Sequence, residues 1–181
     1  MSLLATSGKL TGYEVATILR APITLIRPVK HSQIYPVLSA LEEAGDLAGQ
    51  WVEQQGRPNK KEYRLSAQGQ ARLKSWLLQP RASFSEDEIM LIAYNIALVG
   101  REAVRVALAQ FRQQCDAEKR LLEDRWKSAA SAVPKSRLGK NGAGEKLIGV
   151  RTNYELALME RDARIAWCED VIRRAERVVF A

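Results

Sequence analysis

The sequence predicts a mainly α-helical protein with one small β-hairpin, built in two parts. Three observations carry this. From Ser32 to Leu65 a helical pattern gives way, after Gly45, to two β-prone runs around the turn Gly56-Arg57-Pro58-Asn59. The S/T-x-x-E pattern of a capping box occurs at Thr11–Glu14 and again at Ser85–Glu88, marking two helix starts. Beyond Gly100 the chain reads almost entirely as long amphipathic helix. In a chain of 181 residues this predicts an N-terminal domain over 1–80 and a helical domain over 81–181.

The first well-marked helix has Thr11 as its N-cap and Glu14 at its third position. It runs through Val15, Ile18 and Leu19 to about Ala21, where Pro22 stops it. The apolar stretch from Pro22 to Lys30 carries two prolines and reads as a turn. A second helix follows, with Ser32 as its expected N-cap and Pro36 at the end of its first turn. Ile34, Val37, Leu38 and Leu41 recur at helical spacing and are expected to be buried. Gly45 suits a left-handed stop. The opposite face carries Ser32, Gln33, Tyr35, Pro36 and Ser39, which are short or hydrogen-bonding and include no acid. Such a face, richest at the helix N-terminus, can read base edges in a DNA groove.

Trp51, Val52 and Glu53 lead into the turn, and Lys60 to Leu65 returns from it. Arg57, Lys60 and Lys61 crowd the tip. Phosphates bind such a tip through charge, and a projecting Arg can enter a narrow minor groove. A basic hairpin alone is more often a solvated surface. Its place one short linker after the helix tips the reading toward DNA.

At this point the residues resemble a known family. Gly12-Tyr13-Glu14, the Ile34-Tyr35-Pro36 to Gly45 run, the Gly56-Arg57-Pro58 to Leu65 run and Ser66-Ala67-Gln68-Gly69 are similar to the PadR-type transcriptional regulators. The likeness covers roughly residues 3–78 with four motifs in order; from about Ser85 onward it is one of pattern. It implies an N-terminal winged helix-turn-helix and a C-terminal antiparallel helical dimerisation domain. In this likeness Ser2 to Ser7 is the end of a first helix that is usually longer, and Lys30 stands where a small capping residue is common. The tyrosine at the position of Tyr13 is associated with either phosphate contact or helix packing. Lys30 and His31 either contact phosphates or are simply solvated.

Ser66 is expected to cap a helix through Leu78, with Leu73, Trp76 and Leu77 inward, and Pro80 ends it. From Ser85 a nearly all-apolar helix runs through Ile89, Ile92, Ile96 and Val99 to Gly100, and it must be covered on most sides. A long helix over Arg101–Ser128 carries Val104, Leu108, Phe111, Cys115, Leu122 and Trp126 on one stripe. Ala129 to Glu145 reads as a loop. A last helix over Lys146–Val179 carries Leu147, Val150, Tyr154, Leu158, Ile165 and Ile172. Trp126, Tyr154 and Trp167 either pack the helices together or line an effector cavity.

Composition narrows the function further. Formal net charge is +7. Up to Pro80 there are ten Lys and Arg against six Asp and Glu; from Arg81 onward there are eighteen against fifteen. The excess is denser in the first part, which fits a polyanionic partner. With one His and two distant Cys, neither a metal site nor a Ser-His or Cys-His catalytic arrangement is expected, and no cofactor. Gly139 to Gly144 has the spacing of a phosphate-binding loop, but Glu145 and Lys146 stand where Lys and Ser or Thr are needed. No leader and no run long enough to span a bilayer is recognisable, so a cytoplasmic protein is expected.

The resemblance then implies a homodimeric, sequence-specific DNA-binding regulator. It would be a repressor on an inverted-repeat operator, with Tyr13, Lys30, His31, Ser32, Gln33, Tyr35, Arg57, Lys60 and Lys61 at the DNA. A small-molecule effector would release it, or the cellular level of the protein would be the signal. The alternative is a winged-helix module that binds protein.

Overall fold

The computed structural model describes residues 1–20, 30–53, 56, 59–131 and 143–177. The expected turn after Pro22, the hairpin-tip residues 54–55 and 57–58 (Arg57 among them), most of the expected loop over Ala129–Glu145 with its Gly139–Gly142 segment, and Val179 lie outside the described residues. The chain forms two compact units, Met1–Ala103 and Val104–Ala181.

In the first unit the elements run α1 (Ser2–Ser7), β1 (Leu10–Thr11), α2 (Gly12–Arg20), α3 (His31–Glu43), β2 (Leu47–Val52), β3 (Lys60–Leu65), α4 (Ala67–Leu78), α5 (Glu86–Tyr94) and α6 (Ile96–Val99). The sheet order is β1-β3-β2, antiparallel throughout, with Leu10 opposite Tyr63 and Trp51 opposite Lys61. Two helices followed by a hairpin that a short first strand completes are a winged helix-turn-helix. Leu4, Val15, Ala16, Ile34, Leu38, Leu47 and Tyr63 form its core. The short β1 was not expected; two residues leave no alternation to read.

Local chemistry explains the helix ends. Thr11 N donates to Glu14 Oε2 at 2.7 Å and Glu14 N donates to Thr11 Oγ1 at 3.1 Å, the two-way exchange of a capping box. Ser85 and Glu88 repeat it. Helix α3 ends in a Schellman motif: Gly45 has φ +76°, Gly45 N donates to Glu42 O and Asp46 N to Leu41 O. Ser66 caps α4, accepting from Gly69 N at 2.9 Å. Arg81 ties the turn after α4. Its guanidinium lies 4.8 Å from the Trp76 ring and donates to Trp76 O and Glu88 Oε1.

Several sequence expectations need correction. Trp76, expected inward on α4, is among the exposed residues. The N-cap of α3 is Lys30, not Ser32. An ammonium cannot accept a hydrogen bond, so Gln33 Oε1 takes the Lys30 N–H at 3.3 Å instead. Val37 is not buried but 54% exposed, while Ile34 and Leu38 carry the inward face. The apolar helix after Ser85 is two helices. At Asn95 the side-chain Nδ2 donates to Leu91 O at 2.7 Å, competing for the carbonyl that continues the ladder. Strand β2 begins at Leu47, four residues before the aromatic run that signalled it.

In the second unit α7 (Arg101–Ser131) and α8 (Ala143–Arg177) lie antiparallel. Arg112 pairs with Glu169, Lys119 with Asp162 and Glu118 with Arg161, so partner numbers fall as the first numbers rise. The expected stripe of α7 is buried at Val104, Leu108, Phe111 and Cys115. Cys168 is fully buried on α8, whereas Val150, expected on the inward stripe, is exposed. Among the described residues no helix is long and apolar enough to cross a membrane.

Candidate nucleic-acid interface

The N-terminus of α2, the outer face of α3 and the wing strands enclose a groove of about 750 Å³ in the first unit. Its walls bring together Tyr13, Tyr35, Lys60 and Lys61 from the expected set. Tyr13 is 70% exposed, which rules out the core-packing alternative for it. Tyr35 stands on α3 with its ring against the backbone of Gly12, so the start of α2 and the outer face of α3 meet through that ring. Trp51 is 66% exposed on β2 and also lines the groove. Sequence reasoning used Trp51 only as a strand marker; its pairing opposite Lys61 was the signal that could have placed it at the site.

The other candidates stand elsewhere. Lys30, Ser32 and Gln33 are exposed at the first turn of α3. Gln33 and Val37 line a second, apolar cavity of about 410 Å³ shared with Leu3, Leu19 and Leu91. His31 begins the helix; its side chain, like all of Arg57, lies outside what the structure describes. Pro36 has no N–H to give the Ser32 carbonyl, so the first turns of α3 are held by fewer bonds than a regular helix.

Both wing lysines are already engaged. Lys60 Nζ lies 2.8 Å from Glu62 Oε1 on the same strand, and Lys61 Nζ lies 2.7 Å from Glu42 Oε2 on α3. Each ammonium is held above the usual lysine range by its carboxylate partner, through the hydrogen bond first. Glu14, also in the groove wall, is held below the usual carboxylate range by the Thr11 backbone and hydroxyl hydrogen bonds. A phosphate entering the groove therefore meets cations that have partners, and must compete with carboxylates for them.

The Trp126 and Tyr154 rings lie 5.6 Å apart at 47°, filling the seam between α7 and α8, and Trp167 is half-buried on α8. Among the described residues no group of His, Cys, Asp and Glu could hold a metal ion.

Known proteins are similar to this chain, most clearly over its N-terminal part. Residues 1–75 match the model of the transcriptional regulator PadR-like family. The negative transcriptional regulator PadR of Bacillus subtilis (strain 168) is 28% identical over 177 residues, 96% of this chain and 94% of that protein. Over residues 1–75 the chain is similar to the PadR-like transcriptional regulators. The probable transcriptional regulator Rv1176c of Mycobacterium tuberculosis is 36% identical over 70 residues, 39% of this chain and 37% of that protein. Among solved structures, B. subtilis PadR in complex with operator DNA is 24% identical with a TM-score of 0.41, covering 96% of this chain and 97% of that one. The same protein with p-coumaric acid is 22% identical with a TM-score of 0.39, covering 98% and 93%. PadR-family proteins are regulators rather than enzymes.

Proposed function

We propose that this PadR-type chain is a homodimeric, cytoplasmic repressor that binds an inverted-repeat operator and is released by a small-molecule effector. Helix α3 would enter the major groove with Ser32, Gln33 and Tyr35 toward the bases. Tyr13, Lys30, His31, Arg57 and the wing lysines would face the flanking backbone. The observation that carries this reading is the groove in which Tyr13, Tyr35 and Lys60 converge between α2, α3 and the wing. The whole-length relative named as a negative regulator supports repression. The likeness of residues 1–75 to PadR-like transcriptional regulators weighs against the protein-binding module.

The dimer reading rests on the outer faces of the C-terminal helices. Leu121 on α7 and Ile148, Leu156 and Met159 on α8 are each more than half exposed. Exposed large apolar side chains on these two helices favour cover by a second copy. The 81–181 segment would serve as dimerisation and effector domain, with Trp126, Tyr154 and Trp167 as candidate ligand contacts.

The test is a mobility shift on the DNA upstream of the protein's own coding region, with salt varied, followed by footprinting. A salt-dependent shift and a two-fold symmetric footprint support the proposal. Absence of a shift at low salt on specific and random DNA overturns it. Phenolic acids such as p-coumaric acid are the first compounds to add to a formed complex.

A further inference from the structure

The two wing lysines are neighbours in sequence, yet they are held differently. Lys60 pairs with Glu62 two residues along its own strand, a bond made within the hairpin, and Glu14 of α2 acts on it only through charge. Lys61 pairs with Glu42, nineteen residues away in the last turn of α3. Its ammonium also lies 5.8 Å from the Trp51 ring and 5.4 Å from the Tyr63 ring. The side chains of Lys61 and Glu42 are only 26% and 29% exposed.

Two further observations show that the fold is shaped around this pair. A carboxylate in the last turn of a helix faces the negative end of the helix dipole, an unfavourable place unless a cation answers it. Lys61 supplies that cation. Beneath the pair lies Gly49, in the interior of β2, where glycine weakens a strand. A Cβ on Gly49 would stand 2.4 Å from Glu42 Oε1 and 2.5 Å from Lys61 Cε. The bare backbone lets the carboxylate and the lysine stem cross the sheet.

We propose that Glu42 and Lys61 form a tie across Gly49 that fixes the angle between the reading helix and the wing, so that Lys61, grouped above with the backbone contacts, is a positioning residue and phosphate contact is left to Lys60. This rests on the DNA-binding reading of α3 and the wing. The two lysines then have different signatures. Lys60 contributes charge to every DNA sequence. Lys61 contributes geometry, which matters only where helix and wing must engage the same site together.

The experiment measures operator and random-DNA affinity against salt for the full chain and four variants. For Lys60→Ala the slope of log affinity against log salt falls by about 0.9, the value for one lost phosphate contact. For Lys61→Ala the slope stays, random-DNA affinity stays, and operator affinity falls on the order of tenfold. Glu42→Gln gives the same operator loss, and Lys61→Arg restores binding. The sign for Glu42 is decisive. If Lys61 instead contacts phosphate, removing the competing carboxylate strengthens binding to all DNA, and Lys61→Ala lowers the slope; either result overturns the proposal.

Hydrogen exchange without DNA separates the tie from the functional reading. Glu42→Gln and Lys61→Ala are expected to speed exchange in β2 and β3 with little change in the melting temperature, because a partly exposed pair contributes little to global stability. Unchanged exchange overturns the tie even if the protein binds DNA. Failure of the unsubstituted protein to bind DNA overturns the functional reading, and the exchange result then judges the tie alone.

Discussion

The Tyr35 ring lies directly on Gly12: a Cβ at Gly12 would stand 2.6 Å from Tyr35 Cε1. Gly12 starts α2 and Tyr35 stands on α3, so a single missing methyl sets how closely the two helices approach beside the groove. Gly12→Ala is expected to destabilise the protein by about 1–3 kcal/mol, the range for overpacking a close contact. Urea unfolding at neutral pH measures it. An unchanged midpoint would show that Tyr35 swings away freely.

Gln33 has two prospective roles that two substitutions separate. Its Oε1 holds the Lys30 N–H at the start of α3. Gln33→Glu keeps the acceptor and adds a charge favoured at a helix N-terminus. Gln33→Ala removes the acceptor and is expected to cost roughly 0.5–1 kcal/mol. Glu is therefore expected to preserve thermal stability yet alter sequence preference, since it cannot donate to base edges. Unaltered preference in both variants would move base reading to other side chains of the helix.

Acid stability follows from the two capping boxes. The folded-state pKa values of Glu14 and Glu88 are lowered, first by the backbone hydrogen bonds of Thr11 and Ser85. A lowered folded pKa means stability that is present above the unfolded value, about 4.3 for a free glutamate, and lost as pH falls through the folded one. Glu14→Gln is expected to lower the urea midpoint at pH 7, and the gap to the unsubstituted protein should narrow as pH falls through the lowered folded value. A gap that keeps its size as the pH is lowered would show that the charge of Glu14 does not matter.

The two thiols are expected to be inert. Cys115 and Cys168 are buried, and burial pushes both thiols up, Cys168 to about 11. The thiolate is the reactive form, so a thiol reagent at pH 8 should find neither cysteine in the native protein and both after denaturation. Rapid native labelling would show that α7 and α8 separate readily.

Most of the fold was legible because its signals are local. Thr11, Glu14, Ser85, Glu88 and Gly45 each announce a helix end through bonds made within a few residues. What was hidden depends on partners distant in sequence. Nothing near Val37 shows that α1, α2 and α5 leave it uncovered, and nothing near Lys61 shows that Glu42 lies beside it. Asn95 splits an apolar run because its amide is buried there, and burial cannot be read from one residue. The basic composition of the hairpin was legible, but the pairing that balances each lysine was not.

Asp46 carries a consequence of another kind. Its carbonyl accepts from Ser66 N at 3.0 Å and from Ser66 Oγ at 3.1 Å, and its carboxylate takes Arg72 of α4 at 2.5 Å. Gly69 passes so close that any side chain there would collide with the Asp46 carbonyl. The end of α3, the start of β2 and the start of α4 thus share one fastening point. Adding or deleting a residue at Gly45–Asp46 would have to be answered in three elements at once, whereas the segment between Val52 and Lys60 joins only two strands. Length variation among relatives is therefore expected to collect in that hairpin connection rather than at the Gly45–Asp46 turn.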